Sequence, residues 1–263
     1  MRVSGSRRTA RAHAARGEDA GGDYFASMTD LMLGLLFVFI IMLMAFALNL
    51  HEAERKMSEA TKDLTESDLA RREMLKDIEQ MLKGQVPVTI DEQNGTLQLG
   101  GDILFPKGAA DVFPDALPKL KTLAYALDIV LPCYSVPGDD RPLDRCATKR
   151  KARLEAVYVE GHTDATPIKT ARFTSNWDLS SARASETFNK FVGNFPALAR
   201  LKNDRGEQLI GVSGYGEFRP IDLSGLETGM QRNRRIELRF IMVSPKNAEI
   251  DQMIDEVNTG RSP

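Results

Sequence analysis

The sequence predicts a single transmembrane α-helix followed by an α+β domain whose helices pack on a mixed β-sheet. Three observations carry that expectation. Residues 31–48 contain no charged side chain. Residues 51–85 are dense in Glu, Asp, Lys and Arg at helical spacing and end before Pro87. From 86 to 243, strand-like alternation and helix-like spacing take turns. Among 263 residues, 35 basic side chains face 37 acidic ones, a net charge of -2, which excludes a strongly basic nucleic-acid binder as the default. Hydrophobic residues at 42% and charged residues at 27% exclude a wholly disordered chain.

The uncharged run is long enough to span about 27 Å as a helix, close to the thickness of a bilayer core. It exceeds the apolar core of a secretory signal, and no small-residue cleavage site follows it. Residues 1–17 hold Arg2, Arg7, Arg8, Arg11 and Arg16 and no acid, whereas residues 51–70 hold Arg55, Lys56 and Lys62 against six acids. That asymmetry places the N-terminus in the cytoplasm and the chain beyond about 50 outside. The expected organisation is a cytoplasmic basic tail (1–22), a transmembrane helix (23–50), a helical linker (51–85), the α+β domain (86–245) and a C-terminal tail (246–263).

Asp30 sits at the cytoplasmic end of the apolar run. If the helix extends back to Tyr24, Asp30 lies inside the membrane, sharing one helical face with Ser27 and Gly34. An ionisable group there is costly and marks an ion path. The competing reading is that Thr29 or Asp30 merely caps a helix starting near Leu31. A lone span cannot build a channel, so the first reading requires polytopic partner helices around it.

In the linker, Met57, Ala60 and Leu64 form one apolar stripe and Leu75, Ile78 and Leu82 another. The break between them points to a spacer or short dimer contact rather than a sustained coiled coil. In the domain, Asn94-Gly95 signals a hairpin between alternating runs over 86–99. Helical spacing recurs over 116–131 and 179–195, the latter with Ala182, Phe188, Phe191 and Val192 inward and a start at Asp178 or Ser180. Strands are expected over 154–159, 209–215 and 236–243, the last opened by Asn233-Arg-Arg-Ile-Glu237.

Cys133 and Cys146 bracket a Pro/Gly/Asp-rich insertion. An extracytoplasmic location permits a disulfide there, and two free thiols are the alternative. No zinc site is expected from two cysteines without paired histidines. His162 with Asp164 is a weak metal signal, and the expectation is no metal and no cofactor. Three polar stretches can form a site: the end of a strand at Val159-Glu-Gly-His-Thr-Asp164, Thr174-Ser-Asn-Trp-Asp-Leu-Ser-Ser-Ala-Arg-Ala184, and Asn233-Arg-Arg-Ile-Glu237. Asp164 and Arg183 together can take the ammonium and carboxylate of a zwitterion, or can simply pair with each other. Arg234 and Arg235 alternate sides of a strand, so at most one faces the site.

With Gly101-Asp-Ile-Leu-Phe-Pro-Lys-Gly108 and Gly214-Tyr-Gly-Glu217 followed by Pro220, these motifs resemble the OmpA/MotB peptidoglycan-binding domain family over about 96–243. The resemblance implies that Asp164 and Arg183 clasp diaminopimelate of the peptide stem, that Asn176 and Leu179 line the pocket, and that Arg235 belongs to the site. The longer loop 165–174 and the cysteine-bracketed insertion depart from the simplest pattern. The span with Asp30 resembles the B subunits of flagellar-type stators. The details of Met28-Thr-Asp-Leu-Met-Leu-Gly-Leu-Leu-Phe37 look closer to the ZorB subunits of Zorya anti-phage systems. This implies a homodimer ringed by five polytopic MotA/ZorA-like subunits, a translocated proton carried by Asp30, an inner-membrane location, and cytoplasmic nuclease effectors reached only indirectly. No direct contact with nucleic acid is implied. The alternatives are a flagellar stator subunit and a passive wall tether. An enzyme using Glu160, His162 and Asp164 is the weakest reading, because no nucleophile or metal constellation accompanies them.

Overall fold

The computed structural model describes residues 19–136, 146 and 152–243. The basic residues 1–18, most of the insertion between the cysteines and the tail 246–263 lie outside these. The chain forms two compact units, Met1–Glu59 and Ala60–Pro263.

The first unit is a helical segment of α1 (Asp19–Leu82). Within it Met28–Ser58 is long and apolar enough to cross a membrane, and its apolar side chains are exposed. So much uncovered Leu, Ile, Phe and Met on one helix demands lipid or partner helices as cover. Because α1 begins at Asp19, the helix runs straight through Asp30. Asp30 is therefore not the N-cap of a helix starting at Leu31.

The second unit contains the last turns of α1, then β1 (Thr89–Asp91), β2 (Thr96–Gly100), α2 (Gly101–Leu104), α3 (Leu117–Val130), β3 (Leu154–His162), α4 (Asn176–Asn194), β4 (Ile210–Gly214), α5 (Glu227–Asn233) and β5 (Arg235–Met242). The linker expectation changes here. Ala70, Met74, Leu75, Ile78 and Leu82 are buried with the domain core rather than spacing it from the membrane. Their steps of four, one, three and four residues keep them on one helical face, and that stripe has a sheet domain to cover it.

The sheet order is β1-β2-β5-β3-β4, with β3 and β4 parallel and every other pair antiparallel. The β1–β2 hairpin closes at Asn94-Gly95. Asp91 Oδ1 accepts from the amides of Gln93 and Asn94, each at 3.0 Å, and Gly95 takes a φ of 67° that other residues avoid. One face of the sheet carries Leu97, Leu99, Val157, Val159, Ile236, Leu238 and Phe240 into the core with α3 and α4. The opposite face carries Glu160, His162, Arg235, Glu237 and Arg239, as a period of two requires.

α4 starts earlier than the sequence pattern suggests. Ser175 is its N-cap, its Oγ accepting from the Asp178 amide at 3.2 Å, while Asp178 Oδ2 accepts from the Thr174 amide and hydroxyl. This reciprocal Ser-x-x-Asp cap explains why Asp178 sits inside the first turn instead of beginning it. The buried row is Leu179, Arg183, Ala184, Thr187 and Phe191, and Ala182, Phe188 and Val192 are half-buried beside it. Asn233 ends the short α5 rather than opening a strand.

Two glycines let α4 lie directly on the ends of β3 and β4. A Cβ on Gly161 would overlap the Ser180 carbonyl, and one on Gly214 would overlap Ser181 Oγ. Gly161→Ala is therefore expected to destabilise the domain by about 2 kcal/mol or more, seen as a lowered midpoint in thermal unfolding. Cys133 and Cys146 are disulfide-bonded with Cα atoms 5.4 Å apart, so the free-thiol alternative is set aside.

Candidate functional site

The end of β3, the first turns of α4, α2 with the loop after it, and the entry to β5 meet around Asp164. Asp164 is buried, and its Oδ1 accepts from the Thr166 amide at 2.8 Å. Asn176, on the first turn of α4, donates to the carbonyls of Asp164 and Thr166 and so fixes the loop that presents the carboxylate. Leu179 lies one turn further, packed with Ala110 and Phe173 under the 165–174 loop.

Asp164 does not pair with Arg183. Its ion-pair partner is Arg234, whose Nη1 reaches Oδ2. Arg234 is a hub: it also makes a two-pronged contact with Asp102 on α2 at 2.7 and 2.8 Å, and meets Glu227 on α5 at 2.8 Å. Its hydrogen bonds to Asp102 outweigh burial and raise its pKa well above the usual arginine value. Burial alone would raise the Asp164 pKa, but the hydrogen bonds from Arg234 and Thr166 prevail and hold it below the ordinary carboxylate value.

Arg183 is the opposite case. It is buried at 3% exposure, and its Nε and Nη2 donate to the carbonyls of Ala109 and Pro106 at 2.8 and 3.0 Å. Its guanidinium carbon lies 5.3 Å from the Phe105 ring centre. Among the described residues no carboxylate pairs with it. Desolvation lowers its pKa to about 10, against some support from the charges of Asp102 and Asp164. The cleft thus holds a neutralised guanidinium and an unneutralised one. The latter is pre-oriented by two carbonyls and a ring, ready for an external carboxylate in fork geometry. Three carboxylates surround Arg234 and offer an ammonium group a place close by.

Arg235 is corrected by this arrangement. Its side chain leaves the strand on the other face, where it donates to Glu237 at 2.9 Å. Arg234, the last residue before β5, is the arginine at Asp164. Asp102, Phe105 and Glu227 were not foreseen as site residues, although the Gly101–Gly108 motif already contains the first two.

His162 does not join Asp164 in a metal pair. It lies on the opposite face, its Nε2 3.8 Å from Glu160 and 3.9 Å from Glu237. The three could surround a cation by distance alone. Both carboxylates are already engaged, however, by Arg239 at 2.7–3.2 Å and Arg235 at 2.9 Å. Two guanidiniums balance two carboxylates, so a metal ion would meet arginines at the same oxygens, and the cluster reads as a closed ion network.

His162 is stacked on Tyr215 with ring centres 5.4 Å apart. Burial first, then the nearby Arg235, lowers its pKa, overriding Glu160 and Glu237. The unfolded chain therefore takes up a proton at this histidine more readily than the folded one does. Stability is expected to fall as pH drops below about 6.5, the unfolded value. Unfolding of the full chain across pH 5–8 checks this, and His162→Gln should flatten the dependence.

No protein-family model matches the chain. The chain is 31% identical over 157 residues to the uncharacterized protein YtxE of Bacillus subtilis, covering 60% of this chain and 52% of that one. It is 33% identical over 92 residues to Motility protein B of the same organism, covering 35% and 31% respectively. The chain thus spans about half the length of one relative and under a third of the other. A solved MotB-like protein from Desulfovibrio vulgaris superposes with a TM-score of 0.48 at 22% identity, covering 68% of this chain and 98% of that one.

Proposed function

We propose that this chain is a MotB-like stator subunit, wall-anchored through its sheet domain and ion-carrying through its membrane helix. The Arg183 guanidinium carries the reading. It is buried, desolvated and held by two carbonyls and the Phe105 ring, within the electrostatic reach of Asp102 and Asp164. That arrangement suits a zwitterionic diamino acid, the distinctive residue of peptidoglycan stems. Asp164 and the acids around Arg234 take the ammonium, Arg183 takes the carboxylate, and Asn176 and Leu179 shape the loop between them. The similarity to Motility protein B supports the same assignment.

On this reading the chain is a single-pass protein of the bacterial inner membrane with its N-terminus in the cytoplasm and its sheet domain in the periplasm. Two copies stand inside five polytopic MotA/ZorA-like subunits. Asp30 accepts and releases a proton as ions move inward. The wall holds the dimer still, which gives the surrounding ring something to turn against. The sequence around Asp30 favours an anti-phage motor of the Zorya type that signals to nuclease effectors in the cytoplasm. The similarity to Motility protein B favours a motility role instead.

Purified full chain in detergent is expected to pellet with sacculi and to be released by free diaminopimelate but not by alanine. Failure to pellet removes the anchoring role. Deleting the gene and scoring both phage plating and swimming separates the two physiological settings.

A further inference from the structure

Beside the cleft stands an aromatic surface that the stem-peptide reading does not use. Trp177, the chain's single tryptophan, is 47% exposed on the first turn of α4. Phe218, 62% exposed, is stacked against it with ring centres 5.4 Å apart. Both rings are held by the cleft's own framework. Gly216 adopts a φ of 55° in the turn that presents Phe218, and its amide donates to Ser180 Oγ on α4 at 2.9 Å. Its carbonyl accepts from the amide of Thr163, the residue before Asp164, at 2.9 Å.

The geometry points to Trp177 and Phe218 as a stacking platform for a pyranose ring of the glycan strand, next to the stem peptide bound at Asp164 and Arg183. This rests on the anchoring proposal and adds a sugar subsite to it. The C–H face of a pyranose is apolar and flat, and two stacked rings offer it a wide, rigid, half-exposed surface at low entropic cost. The spacing fits. Trp177 and Arg183 are six residues apart on α4, about 9 Å along its axis. A stem held through its third residue leaves two residues before the sugar, about 7 Å of extended chain, plus the lactyl linker.

The test uses the tryptophan itself. Full chain in detergent is titrated with peptide-free glycan strands, with sugar-free stem peptide, and with anionic lipid vesicles. A saturable shift of Trp177 emission with glycan is expected. Trp177→Ala should weaken sacculus binding about tenfold while leaving stem-peptide affinity unchanged, and Trp177→Phe should stay within about threefold of the parent. Unaltered sacculus binding by Trp177→Ala overturns the platform, as does an emission shift with vesicles but not with glycan. Failure of the stem peptide to bind the parent chain at all sinks the anchoring proposal instead, and glycan binding then reports on the platform by itself.

Discussion

Arg183→Ala is expected to reduce sacculus binding by about 100-fold or more. Truncating one partner of a buried, hydrogen-bonded charge pair costs on the order of 2–5 kcal/mol, and each 1.4 kcal/mol is a factor of ten. Much of that cost falls on the ligand carboxylate, which would enter a desolvated cleft and find no cation. The alanine also leaves the Pro106 and Ala109 carbonyls without their donor, so the fold needs its own control. Arg183→Lys is the companion variant. It keeps a positive charge within reach of one of the two carbonyls but loses the planar fork, and should bind at least tenfold more weakly when compared at temperatures below its own unfolding midpoint. Pelleting of either variant at parental affinity removes Arg183 from the site.

Asp30→Asn is expected to abolish ion flux and any motility or phage protection that depends on it, with normal expression and membrane insertion. Asparagine keeps the shape and hydrogen bonding of the side chain but cannot titrate. The position matters because α1 is helical from Asp19 onward, so Asp30 stands on a continuous helix within Met28–Ser58. Proton flux into liposomes holding the chain with its polytopic partner is the direct measurement. Parental flux from the variant ends the ion-carrier role.

The membrane run and the strand–helix alternation were legible because each rests on local periodicity. Val157, Val159, Ile236 and Leu238 repeat every two residues, and α3 repeats at helical spacing. What escaped depends either on contacts distant in sequence or on the exact ends of short elements. Leu75, Ile78 and Leu82 form a plain apolar stripe, and nothing in their spacing says whether a partner chain or the chain's own sheet covers it. The start of α4 was misplaced because Asp178 is a good cap residue by itself, yet Ser175 outranks it once both sides of the reciprocal cap are satisfied. In the site, Asp164, Asn176 and Arg183 were visible as polar residues in motif positions. The choice between Arg234 and Arg235 was not, because it turns on where α5 ends and β5 begins, a boundary a seven-residue helix hides.

The burial of Ala70, Met74, Leu75, Ile78 and Leu82 bears on how the domain can be isolated. An excised soluble piece beginning at Val86 would lack these five buried apolar side chains and open the core cluster to which they belong. Any recombinant boundary meant to give a monodisperse product has to fall upstream of Ala70, close to where the first compact unit ends.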